Sequence, residues 1–130
     1  MTITNATVTN NTATGDDATE GGGGIHNSGS LSVSDSEISG NTASGAAGSG
    51  GGVWNAGIAS IEDSEISGNT ANRAGGGIEA TDSSSTSLSD VNLDGNNVGV
   101  SPAVAAPGNG GGLHVNGAGT VTISGGTVNN

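Results

Sequence analysis

A nine-residue stretch, Asp-Ser-Glu-Ile-Ser-Gly-Asn-Thr-Ala, occurs twice, at 35–43 and 63–71. A looser unit recurs around it. Gly23-Gly24-Ile25 leads through Leu31-Ser32-Val33 to Ile38 and Asn41, and Gly51-Gly52-Val53 leads through Ala59-Ser60-Ile61 to Ile66 and Asn69. Gly76-Gly77-Ile78 leads to Leu93 and Asn96, and Gly111-Gly112-Leu113 leads through Val121-Thr122-Ile123 to Val128. Thr2 to Ala13 reads as the second half of a further copy. The equivalent positions Ile3, Val33, Ile61, Leu88 and Ile123 lie 30, 28, 27 and 35 residues apart. A self-similar period in this range is the mark of stacked coils.

Within each unit, apolar residues alternate with Ser, Thr, Asp or Glu at period two, which selects short strands over helices. Three strands per coil are expected: Gly-Gly-apolar, apolar-x-apolar, and a third ending in Gly-Asn. No single strand can bury its apolar face, so successive copies must stack. The columns are then Ile25/Val53/Ile78/Leu113, Ile3/Val33/Ile61/Leu88/Ile123 and Val8/Ile38/Ile66/Leu93/Val128, with Ala13/Ala43/Ala71/Val98 plugging a corner. The sequence therefore predicts an all-β chain forming one parallel β-helix (a β-solenoid) over residues 1–130, with about four and a half coils. Right-handed winding is expected from the crossover rule for parallel strands.

The composition, which alone would suggest disorder, fits such a thin core. Leu, Ile and Val supply only 22 of 130 residues, Phe and Tyr are absent, and the net charge is −11. The lack of Cys excludes a disulfide scaffold and a Cys-ligated zinc site. Arg73 is the single Lys or Arg residue, so no basic patch for nucleic acid can be built. No run of about 18 apolar residues is present to span a membrane.

The glycine clusters fall at one corner of each coil, where positive φ is expected of them. With no Lys and no following helix, they are not phosphate loops. Asn11, Asn41, Asn69 and Asn96 should form an inward-turned amide ladder, each bonding its own turn and the coil about 4.8 Å away. The longest bend, 97–109, holds both prolines with Val98, Val100, Val104, Ala105 and Ala106, and is the candidate adhesive patch.

The pairing of Gly-Gly-x and x-x-x-Asn elements resembles the repeats of chlamydial polymorphic outer-membrane proteins and, more widely, β-helix adhesins and autotransporter passengers. Gly23-Gly24-Ile25, Gly51-Gly52-Val53, Gly76-Gly77-Ile78 and Gly111-Gly112-Leu113 match the first element. Ile38 to Asn41, Ile66 to Asn69 and Leu93 to Asn96 match the second, with an aliphatic residue in place of that family's Phe. The resemblance implies an extracellular or cell-surface structural and adhesive role, and allows for this chain being a fragment of a larger passenger.

Catalysis is not expected. A lyase acting on uronates needs bases, which this chain lacks. A hydrolase needs paired carboxylates about 5–9 Å apart in a cleft, and the bends are too short to build one. Asp35, Asp63 and Asp90 stack at one outward position, with Glu37 and Glu65 beside them. Opposed like charges repel, and a divalent cation with oxygen ligands, such as calcium, would relieve them; no other cofactor is expected. Asp16, Asp17 and Glu20 form a second acidic group. Outward Ser and Thr on the second strand (Thr2/Thr4, Ser32/Ser34, Ser60/Glu62, Ser87/Ser89 and Thr122/Ser124) raise ice binding as an alternative. His26, Trp54, Glu79 and His114 share one outward column, in which Trp54 could serve a surface glycan but the two His are too far apart to ligate a metal together. Both ends lack a cap, and Thr2 to Val8 matches Thr122 to Val128. Open ends of like pattern predict head-to-tail self-assembly into filaments, with Ile3 and Val8 meeting Ile123 and Val128 across the joint. One slot would stay vacant, since the N-terminal half-coil lacks its Gly-Gly strand.

Overall fold

The computed structural model describes residues 1–99 and 109–129. The bend proposed as an adhesive patch falls mainly on 100–108, outside the described residues.

The chain winds through short strands in a fixed order. A partial turn opens it, with β1 (Thr2–Thr4), β2 (Thr7–Thr9) and β3 (Thr12–Ala13). The first full turn is β4 (Ile25–Asn27), β5 (Ser30–Ser34), β6 (Glu37–Ser39) and β7 (Thr42–Ala43). The second is β8 (Val53–Asn55), β9 (Ile58–Glu62), β10 (Glu65–Ser67) and β11 (Thr70–Ala71). The third is β12 (Ile78–Ala80), β13 (Ser85–Ser89), β14 (Asn92–Asp94) and β15 (Asn97–Val98). A last partial turn holds β16 (Leu113–Val115), β17 (Thr120–Ser124) and β18 (Thr127–Val128).

Equivalent strands of successive turns pair in parallel, giving four sheets. The first sheet stacks β1, β5, β9, β13 and β17, and the second stacks β2, β6, β10, β14 and β18. The third stacks β3, β7, β11 and β15, and the fourth β4, β8, β12 and β16. The molecule is thus an all-β parallel solenoid with three full turns between two partial ones.

Two expectations are corrected. Each full turn has four strands, not three, because the Ala column is itself a strand: Ala13, Ala43, Ala71 and Val98 lie in register along the third sheet. The Gly-Gly pairs precede the fourth-sheet strands, and positive φ belongs to the glycine before each pair, such as Gly50 at φ 64°. The pair itself is needed for close approach. A Cβ at Gly24 would lie 2.8 Å from the Gly52 carbonyl oxygen and 2.9 Å from Asn41 Nδ2.

The core is a stack of side-chain layers. Ile25, Val53 and Ile78 come from the fourth sheet, Val33, Ile61 and Leu88 from the first, and Ile38, Ile66 and Leu93 from the second. Each is at most 4% exposed. A further first-sheet column, Leu31, Ala59 and Thr86, is also buried. Alternation along β5 and β9 sends these residues inward and their Ser and Glu neighbours outward.

Candidate functional site

Three polar columns and one open end stand out on this frame. The first column is inside. The backbone N–H and the Nδ2 of Asn41 both donate to Asn69 Oδ1, at 2.9 and 3.0 Å, and Asn41 Nδ2 also donates to the Val8 carbonyl at 2.9 Å. Asn69 repeats this on Asn96 and Ile38, and Asn11 makes the corresponding bonds to Asn41. The amides fill the space the glycine pairs leave open. They also satisfy donors and acceptors of a corner that ordinary pairing would leave bare.

Two further ladders have weaker sequence signals. Asn27 Nδ2 donates to Asn55 Oδ1 at 2.7 Å, and Asn55 Nδ2 donates to Thr86 Oγ1 at 2.9 Å. Ser36 donates its hydroxyl to the Ser34 carbonyl and accepts from the Ala6 N–H, while Ser64 accepts from the Ser36 N–H. Each identity spans only two full turns, since Ala80 and Val91 follow.

The second column is acidic. Asp35, Asp63, Asp90, Glu37 and Glu65 line one open groove of about 730 Å3 along the bend between the first and second sheets. The short bends gave no reason to expect it. Glu37 and Glu65 are direct neighbours across β6 and β10, with Thr7 and Asn92 in the flanking turns. Among the described residues no three His, Cys, Asp or Glu side chains converge as a metal site. The backbone accounts for the Asp column: Asn5, Asp35, Asp63 and Asp90 have φ of 49°, 49°, 46° and 52°. Asn and Asp tolerate this left-handed conformation better than other side chains. In the other acidic group, the Thr19 backbone N–H and then its hydroxyl, both bonded to Asp17 Oδ1, hold the Asp17 carboxyl below its ordinary 3.8.

The third column is on the outer face of the fourth sheet, where His26, Trp54, Glu79 and His114 are in register. Although they point outward from the strands, Trp54 is 6% exposed and Glu79 is fully buried. Connections between turns cover them. The Gly21 carbonyl lies 3.1 Å from His26 Nδ1, and the His26 ring stacks on Trp54 with centroids 4.3 Å apart. Arg73 reaches over from the β11–β12 connection to donate to Glu79 Oε1 at 3.0 Å. His114 Nδ1 lies 2.7 Å from Glu79 Oε2. The one cation of the Lys/Arg class thus sits on the one fully buried carboxylate among the described residues.

At the open end, Ile123 is 48% and Val128 56% exposed, whereas Ile3 and Val8 at the other end are half-buried. Among the described residues the last turn has strands in the fourth, first and second sheets, and the first turn has strands in the first, second and third. The outward Ser/Thr rows of the first sheet run in register but are broken by Glu62 and by Ile58, which is 62% exposed.

These features define a parallel β-solenoid with polar ladders inside and a built-over cluster on one face. Comparison with protein-family models, with curated proteins and with solved structures found no match. No helix among the described residues is long and apolar enough to cross a membrane.

Proposed function

We propose that the chain is a non-enzymatic structural and adhesive solenoid that works outside the cell or on its surface, wound right-handedly, and that it lengthens by pairing end to end with a second copy. The carrying observation is the match between the two terminal edges. β17 and β18 present Thr122-Ile123-Ser124 and Thr127-Val128, while β1 and β2 present Thr2-Ile3-Thr4 and Thr7-Val8-Thr9. Each edge has the register that every internal pair of turns uses. Unpaired edges of this kind are templates for another strand, and burying the exposed half of Ile123 and of Val128 would contribute roughly 0.7–1.5 kcal/mol each. A heterologous joint of this sort propagates as an open filament. The surface location draws on the likeness of the Gly-Gly and Asn elements to adhesin repeats.

Negative-stain electron microscopy across a concentration series tests this reading. Filaments of uniform width are expected from the native chain, and folded monomers from an Ile123→Lys/Val128→Lys double variant. Monomers of the native chain at every concentration would overturn it. The fragment reading would then be taken up, followed by the ice-facing rows.

A further inference from the structure

Both corners of the opening partial turn carry a pattern found nowhere else in the chain. Asn5-Ala6-Thr7 and Asn10-Asn11-Thr12 each place a Thr two residues after an Asn, with no Pro between; no other Asn is followed so by Ser or Thr. Asn-x-Thr is the acceptor pattern for transfer of an N-linked glycan, and it needs a surface bend to be used.

The structure supplies that setting twice. Asn5 lies between β1 and β2, and Asn10 between β2 and β3. Asn5, Thr7, Asn10 and Thr12 are all exposed. The hydrogen bonds of this turn use the backbone N–H groups of Asn5 and Asn10 with Ala6 and Asn11, and leave both acceptor carboxamides and both Thr hydroxyls unengaged among the described residues. There is also room. Asn5 and Thr7 border the open groove beside the second sheet. Above Asn10 stands Gly40, where a Cβ would come within 3.0 Å of Asn10 Oδ1, so the glycine keeps that side of the carboxamide clear.

The backbone explains an Asn at these corners but not the pattern. Asn5 has φ 49° and Asn10 φ 57°. Later turns meet the same need with Asp35 and Asp63 above Asn5, and with Gly40 and Gly68 above Asn10. Thr7 likewise gives way to Glu37 and Glu65 in register. Asn and Thr coincide only in the first turn, and there at both corners. Residues 2–15 also hold no charged side chain, so this turn lacks the solvating carboxylates of those that follow.

We propose that Asn5 and Asn10 are N-glycosylation sites. The donor is a polyprenyl-pyrophosphate-linked oligosaccharide. A bond forms between Asn Nδ2 and the anomeric carbon, the bond from that carbon to the pyrophosphate oxygen breaks, and the released lipid pyrophosphate takes up the Nδ2 proton. Such donors are used outside the cytoplasm, so modification in the cell rests on the extracellular or surface location proposed above.

The test reads acceptor competence without regard to location or filaments, so its failure and the failure of that reading are separate results. The folded full chain is incubated with lipid-linked oligosaccharide and a single-subunit oligosaccharyltransferase that requires only Asn-x-Ser/Thr, with an Asn-x-Thr peptide as the positive control. Intact mass and peptide mapping are the readouts. Two added glycans are expected, one on Asn5 and one on Asn10. Asn5→Gln and Asn10→Gln should each leave one. Thr7→Ala and Thr12→Ala should each do the same while leaving the positive-φ corners untouched. The proposal is overturned if the folded chain accepts no glycan while the peptide does, if only the urea-unfolded chain is modified, or if both glycans persist in the Thr variants.

Discussion

Asn41, Asn69 and Asn96 inside the coil and Trp54 and Glu79 of the His26/Trp54/Glu79/His114 column outside it are all removed from water, and the two columns are built in opposite ways. The inner column uses one residue type four times, and its buried amides find their bonds in the neighbouring turns. The outer column changes identity at each turn and leaves Trp54 Nε1 without a partner. Repetition suits a group whose only task is to match its neighbours. A column that departs from the repeat while its strands keep register is under some other demand.

The comparison predicts the largest damage from the inner column. Asn69→Ala removes the acceptor for the Asn41 N–H and Nδ2 and the donor to Ile38, all fully buried. Stranding groups at about 1–3 kcal/mol each, it should cost about 3 kcal/mol or more. A denaturant melt within about 1 kcal/mol of native, or about a third of that loss, would break the contrast. Glu79→Ala should cost less, about 1–2 kcal/mol, because Arg73 and His114 are a quarter or so exposed and can turn to water. It should also shift Trp54 emission to the red, since Glu79 is its neighbour in register. An unshifted spectrum would mean that the cluster does not support the indole.

The smallest effect belongs to Asp17, on a fully exposed bend. Its folded-state pKa is depressed, so its contribution is present above 3.8 and is lost as the pH falls through the lowered value. NMR titration of the Asp17 carboxyl should give a midpoint below 3.8, and Thr19→Ala should return it towards 3.8.

The sequence shows the large aliphatic columns well, because Ile38, Ile66 and Leu93 recur at near-constant spacing and alternate with polar residues. It hides the third-sheet strands, since two residues such as Thr42–Ala43 are too short to show alternation. The outer cluster is hidden for a different reason. Strand periodicity assigns Trp54 and Glu79 to the outside correctly, but their cover comes from connections of irregular length, and Arg73 is placed by folding rather than by repeat position. The shorter Asn and Ser ladders fade because Ala80 and Val91 replace the polar residue with something that packs. The Asp column is legible in the sequence as stacked carboxylates, but the positive φ that accounts for it is not, because a single turn residue has no periodicity to read.

At that turn the backbone requires only a residue at ease with positive φ, and Asn5, Asp35 and Gly125 all meet the requirement with different charge. Conformation and electrostatics are decoupled there. One edge of the rod can gain or lose a row of negative charges by single-residue drift while the coil stays as it is, so relatives adapted to different salinities could share this fold and differ chiefly along that line.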